Sequence, residues 1–365
     1  MRDYNALPGE PQRPWNLTFG GLSVPTPAIS FDSGAQGTEG AAVTGHDNLS
    51  ILRARAHESR FESMRELREA AKTEVRKVVV GQDHAVELVL VAALAHGHVL
   101  LEGPPGSAKT LLARAMAHVL GSSFKRIQFT PDTTPTHIIG EQMLRNGEQV
   151  FVPGPIFANV VLADEINRTP PRTQAALLEA MQERHITVDG RTHRLPDPFL
   201  VIATQNPYEH EGIYSLPESQ LDRFLFKIDL DYCDPQSELE MLSLPHLGTA
   251  PDMLGEIKPL LGVAGLDKAR IEIDSTETPE PVLRYIVGIA RATREQPGVQ
   301  LGASSRAAIH LLAATRAHAR IEGRSSITAE DVRAIAPYAL RHRLRVSDTT
   351  ADAVLSAAFA AVPAP

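Results

Sequence analysis

Apolar residues first recur with a helical rhythm. Phe61, Met64, Leu67, Ala71, Val75 and Val78 fall three to four positions apart, which places them on one face of a helix. After a turn at Gly81, "VELVLVAALA" predicts a second and more apolar helix. The rhythm then changes. Five short runs, "HVLLEG", "FKRIQFT", "NVVLADE", "FLVIATQN" and "FLFKIDL", are β-branched or aromatic, and most are apolar nearly throughout. Strands buried on both faces have that composition, so the pattern predicts a parallel sheet covered by helices. Two hairpins interrupt the scheme. Asn146-Gly147 in "RNGEQVFVPG" and Asp189-Gly190 in "RHITVDGRTHRL" supply the positive φ angles that tight turns need.

After about Cys233 the strand-like runs stop. "EPVLRYIVGIARATRE", "SSRAAIHLLAATRAHARIEG" and "TAEDVRAIAPYALRHRL" predict a second, all-helical domain, with Thr328 and Asp331 as a helix N-cap signature. Residues 1–48 follow neither period and are rich in Pro, Gly, Ser and Thr. Such a segment buries too little apolar surface to offset its ordering entropy, so a disordered tail is expected. The expected division is therefore a tail over 1–48, an α/β core over 49–232 and a helical domain over 233–365.

Composition narrows the function classes. A net charge of −8 over 365 residues argues against non-specific binding to nucleic acid or to an acidic membrane surface. The one cysteine, Cys233, excludes an intrachain disulfide and suits a reducing compartment. No apolar stretch is long enough to span a membrane, and no export signal opens the chain, so a cytoplasmic protein is expected.

Candidate chemistry gathers where the strand-like runs end. In open α/β sheets ligands bind beyond the carboxyl ends of the strands. The first run leads into "GPPGSAKT", a phosphate-binding loop of the form G-x-x-x-x-G-K-[ST] with one departure, Ala108 in place of the second glycine. Such a loop points backbone N–H groups at phosphate oxygens ahead of a helix N-terminus. Gly103, Pro104, Pro105, Gly106, Ser107, Ala108, Lys109, Thr110 and Leu111 are the candidate nucleotide contacts. Ala108 stands at the helix entry, where an ordinary φ is expected to suffice. Lys109 would reach the β- and γ-phosphates and the Thr110 hydroxyl would hold Mg²⁺.

Downstream, "VVLADEINR" ends a buried run in Asp164-Glu165. Asp164 would complete the Mg²⁺ shell and Glu165 would orient or deprotonate the attacking water. Asn206, at the end of "VIATQN", would hydrogen-bond the γ-phosphate or that water; a turn-forming Asn before Pro207 is the alternative. Arg223, ahead of the fifth run, would neutralise charge on the transferred phosphoryl, unless it only pairs with Asp222. Arg306 starts a helix in "GASSRAAI" and would close over the nucleotide from there, unless it is a solvated helix residue. Fourteen histidines without H-E-x-x-H spacing offer no metal site, and His342-Arg343 reads as a solvated helix end.

With these clusters in this order, residues from about 79 to about 345 resemble the AAA+ ATPases, and among them the MoxR family. "VVVGQDHAVE", "HVLLEGPPGSAKT", "GPIFANVVLADEINRTPPRTQAALLEAMQE", "VIATQNP" and "LPESQLDRFLFKI" carry the likeness, the long middle block most specifically. An alanine before the loop lysine is usual in MoxR proteins. The resemblance implies a P-loop core with a five-stranded parallel sheet and a C-terminal helical lid. It makes Lys109 and Thr110 Walker A, Asp164 and Glu165 Walker B, Asn206 sensor 1 and Arg306 sensor 2. Arg223 becomes an arginine finger reaching a neighbouring subunit's nucleotide, and the two hairpins match family insertions.

The family implies ATP and Mg²⁺ as cofactors, a homo-oligomeric ring, typically a hexamer, and chaperone-like remodelling of a protein client. Partners in this family often carry von Willebrand factor A domains. "FTPDTTPTHIIG", the short first hairpin and Ser305, where proline is common, depart from the family pattern. A motor or loader acting on nucleic acid and a nucleotide-gated scaffold that hardly hydrolyses are the alternatives.

Overall fold

A computed structural model describes residue 61 and residues 63–145, 147–207, 213–247, 250–251 and 254–365, which fall in one compact unit. The tail over 1–48, the start of the helical pattern before Phe61, and Asn146 of the first hairpin lie outside the described residues.

Two helices lead in. α1 (Met64–Arg76) begins at Ser63, whose side chain caps Glu66 N–H, and buries Leu67, Ala71 and Val75. α2 (Asp83–Leu94) is buried over most of its length, as its apolar run requires. β1 (Val99–Glu102) then runs into the glycine-rich loop and α3 (Lys109–Val119). β2 (Phe124–Gln128) is followed by the short α4 (Pro135–Ile139) and by the first hairpin, β3 (Gly140–Arg145) with β4 (Glu148–Pro153). β5 (Val160–Asp164) leads to α5 (Pro171–Glu183) and the second hairpin, β6 (His185–Val188) with β7 (Arg191–Arg194). β8 (Leu200–Gln205), the single turn α6 (Glu218–Leu221) and β9 (Phe226–Asp229) complete the core.

The five long runs form one parallel sheet in the order β2-β5-β8-β1-β9. Alternate residues of each inner strand enter different apolar clusters. Val99 and Leu101 of β1, with Val160 and Leu162 of β5, face α1, α2 and α3. Leu100, Val161 and Ala163 face Phe129, Leu177, Leu178 and Phe199. Burial on both faces is what near-continuous apolar runs predict.

The C-terminal region carries α7 (Pro235–Ser243), α8 (Gly262–Asp274), α9 (Glu280–Glu295), α10 (Ser305–Ile321), α11 (Ala329–Leu340) and α12 (Ala351–Ala361). It is not all-helical. β10 (His246–Leu247) pairs with β11 (Ala250–Pro251), and β12 (Val299–Leu301) pairs with β13 (Arg345–Val346). Runs of two or three residues are too short to show a period. Leu311 of α10 and Ile335 of α11 share a continuous core with α1 to α3.

Candidate active site

Register brings the acidic and polar strand ends to one rim. Ala163 of β5 pairs with Ala203 of β8, and Ala203 with Leu100 of β1. One step further on, Asp164 and Thr204 stand side by side, next to the point where β1 becomes the loop. Gly103 leaves no room for a side chain there, since a Cβ would fall 2.2 Å from the Leu230 carbonyl oxygen. Pro105 and Gly106 are exposed at the tip, while Ser107 is buried and donates from Oγ to Pro104 O at 2.9 Å. Lys109 Nζ reaches back to Gly103 O at 2.8 Å and Pro104 O at 2.7 Å, so the ammonium lies inside the loop. Leu111 packs on the core below.

Ala108 departs from expectation. Its φ is 61° and its ψ 19°, in the left-handed region. The loop must reverse its curvature immediately before α3, and the position is satisfied by a conformation that glycine adopts freely and alanine does not.

Asp164 is the hub of the acidic end. Its Oδ1 accepts from Thr204 Oγ1 at 2.6 Å, and its Oδ2 from Thr110 Oγ1 at 3.2 Å. A hydroxyl and a buried carboxylate in contact are the hard oxygen donors that Mg²⁺ takes alongside phosphate oxygens and water, so the residues fit that ion. Arg126 of β2 shares the same Oδ2, from Nε at 2.9 Å and Nη2 at 2.6 Å. Glu165 has a left-handed backbone, φ 60°, which turns its side chain away from the strand line. Its N–H donates to Thr204 Oγ1 at 2.9 Å, and its Oε2 accepts from Gln128 Nε2 at 2.7 Å and faces Arg168 at 3.2 Å. Asn206 is buried at the end of β8, with Asn167 Nδ2 3.5 Å from its carbonyl. Lys109, Thr110, Asp164, Glu165 and Asn206 thus meet at one rim.

Arg126, Gln128, Arg168 and Thr204 contact the Asp164 and Glu165 groups and were not singled out by the sequence. A signal existed for two of them. Arg126 and Gln128 stand at alternate positions of a strand-like run, hence on one side of it.

Arg223 and Arg306 are not brought to this rim. They line a cleft of about 200 Å³ with His96, His98, Arg184 and His310. Leu225 N–H bonds His98 O at 2.8 Å, so the cleft lies where β1 and β9 begin, at the far end of the sheet from the loop. Arg306 therefore does not close over the loop of its own chain; α10 packs against α1 and α2, and its first turn points to the opposite rim. Nor does Arg223 pair with Asp222. Its Nη1 donates to Leu178 O at 2.5 Å, and Asp222 pairs instead with Arg343 at 2.9 Å. Arg343 is 3% exposed, so the "LRHRL" segment is not a solvated helix end. Burial pushes His98 down to about 4 and His310 to about 3, the latter helped by Arg343 and Arg306. The cleft is thus lined by permanent cations and neutral imidazoles.

Comparisons with known proteins bear on the family and the fold. Residues 98–226 match the family model for the ATPase family associated with various cellular activities (AAA), and residues 291–359 match the AAA lid domain. Chaperone MoxR1 of Mycobacterium tuberculosis is 46% identical over 298 residues, covering 78% of each chain. Protein MoxR of Paracoccus denitrificans is 32% identical over 81% of this chain and 95% of its own. The solved structure of a candidate ATPase from Cytophaga hutchinsonii superposes with a TM-score of 0.76 at 35% identity, covering 83% of this chain and 96% of that one.

Proposed function

The chain belongs to the MoxR family of AAA+ ATPases, and from that premise we propose that it hydrolyses Mg·ATP at the interface between copies of itself. The loop from Gly103 to Leu111 takes the triphosphate, with Lys109 on the β- and γ-phosphates. Thr110 and Asp164 would hold a magnesium ion, which would supply neutralisation of phosphate charge. Glu165 takes the proton of the attacking water, with Gln128 and Arg168 fixing its carboxylate, and Asn206 orients that water. Arg223 and Arg306 act on the nucleotide of an adjacent copy.

One observation carries this reading: a single chain holds the binding half and the arginine half at opposite ends of its sheet. β1 spans four residues, or about 13 Å of strand, between the arginine cleft and the loop. Arg223 Nε is buried and has no hydrogen-bond partner among the described residues, as suits a group completed by another copy. Head-to-tail repetition of such a contact closes a ring when the rotation between copies closes, and six copies is the size we assign. The motion between core and lid would then work on a protein client, with a von Willebrand factor A domain protein as partner. ATP-trapped Glu165→Gln is the form from which to isolate that partner; recovery of no such domain would remove it.

Complementation between two inactive chains tests the interface. Lys109→Ala destroys the loop but leaves the arginines, and Arg223→Ala does the reverse. Each alone should lose turnover, the second by about 10³-fold or more, the worth of such an arginine. Mixed, they should regain a fraction of it, because some interfaces join a sound loop to a sound arginine. No recovery in rings shown to contain both chains would end this reading.

A further inference from the structure

We propose that Arg343, Asp222 and Ser304 form a splint that sets Arg223 and Arg306 as a single unit, making all three positioning residues for hydrolysis in the adjacent copy. The inference rests on the interfacial reading above.

Arg343 closes the short helical turn Arg341–Arg343 that follows α11. Its guanidinium is buried against the segment that carries Arg223. Nη2 donates to Asp222 O at 3.1 Å and to Phe224 O at 2.7 Å, the two carbonyls that flank Arg223. His342 Nε2 donates to the same Phe224 carbonyl at 3.1 Å. The guanidinium also lies against the Asp222 carboxylate, with Nε 2.9 Å from Oδ1. A planar fork can serve two carbonyls and a carboxylate at once, which an ammonium cannot.

Asp222 extends the contact to α10. Its two carboxylate oxygens lie 3.1 and 3.3 Å from Ser304 Oγ, which donates to them. Ser304 is also the N-cap of α10, accepting from Ala307 N–H at 3.0 Å. Arg306 is the second residue of that helix, and His310, one turn on, lies 2.5 Å from Arg343 Nη2 through its Nδ1. The segment before β9, the turn after α11 and the first turn of α10 are therefore joined by one charged unit. The backbone segments that carry the two arginines are thereby tied to each other. Burial lowers the Arg343 pKa to about 10, with Asp222 opposing that fall, so the guanidinium stays charged at neutral pH.

The test uses Asp222→Asn and Ser304→Ala in the full chain, with Ser304→Thr as the conservative rescue. Affinity for an ATP analogue should be unchanged, since each chain's own loop is untouched. Turnover should fall about 10- to 100-fold, the scale of a 1 Å misplacement of a catalytic group. Ser304→Thr should restore it. On an Arg223→Ala background Asp222→Asn should add no further loss, because it acts through that residue. Asp222→Asn mixed with Lys109→Ala chains should recover turnover, since the defect lies in the arginines offered and not in the loop. A general folding defect would not be cured by mixing. If Arg223→Ala is inactive while Asp222→Asn and Ser304→Ala turn over normally, or if mixing restores nothing, the splint is overturned. If Arg223→Ala itself keeps normal turnover, the interfacial reading fails first and takes the splint with it.

Discussion

Ala108 adopts a backbone conformation that its own Cβ opposes. A left-handed residue other than glycine costs about 1–2 kcal/mol, and glycine would return part of that gain through the greater freedom of the unfolded chain, about 0.4–1 kcal/mol. Ala108→Gly should therefore stabilise the chain by between nothing and about 1.6 kcal/mol. It should leave nucleotide affinity unchanged, because the N–H that would face the phosphates is kept. Urea unfolding and nucleotide titration check the two halves, and weaker nucleotide binding would show that the stiffer alanine backbone pre-forms the loop. The sequence could announce the loop, since Gly103, Lys109 and Thr110 are spaced for it. It could not announce the sign of φ at Ala108, because alanine does not encode one. Arg343 was misread for a related reason. A basic residue at a helix end usually meets water, and only the fold brings two carbonyls and a carboxylate to it.

At the scale of elements, the inner strands were legible because both of their faces are buried, so each residue of Val160–Asp164 had to be compatible with a core. The pairing of β12 with β13 was not legible, since its two short segments lie far apart in the chain. Helix α11 was announced at its start. Thr328 and Asp331 form a reciprocal capping box, with Asp331 Oδ2 accepting from Thr328 N–H at 2.9 Å and Thr328 Oγ1 at 2.8 Å. The sequence did not show that the same carboxylate also takes His318 Nδ1 at 3.0 Å and the Arg324 guanidinium. Burial alone would raise the Asp331 pKa; these hydrogen bonds outweigh it and bring the group to about 2. Because the folded value lies below the unfolded one, the contribution is complete above about pH 4 and fades as pH falls toward 2. Asp331→Asn keeps the shape and removes the charge. It should cost about 2–3 kcal/mol at neutral pH, read as a lower urea midpoint at unchanged slope. An unchanged midpoint would mean that the capping box, and not the charge, is what holds this corner.

Among the described residues the candidate loop and the Asp164–Glu165 pair stand at one rim of the sheet, and the cleft of Arg223 and Arg306 stands at the other. Neutral histidines sit among those cations, and their neutrality has a consequence for the entire fold. His98 Nδ1 accepts from Val201 N–H at 3.0 Å while Nε2 donates to Met181 O at 3.2 Å, so a second proton would break the bond to Val201. His310 faces Arg343 and Arg306, and burial holds His342 well below its ordinary range. For all three the folded pKa lies beneath the unfolded one, near 6.5. Above that pH neither state is charged and stability is full. Below it the unfolded chain binds protons that the folded chain refuses, and stability falls until the folded values, about 4 for His98 and about 3 for His310, are reached. His98 and His310 each contribute about 1.4 kcal/mol per pH unit, so these two together give a slope of about 3 kcal/mol per unit. Denaturant midpoints measured from about pH 7 down to about pH 5 should show that loss, and His310→Gln should make it shallower. Midpoints that stay level over this range would mean that the arginine rim tolerates three further charges, which its burial and its guanidinium groups argue against.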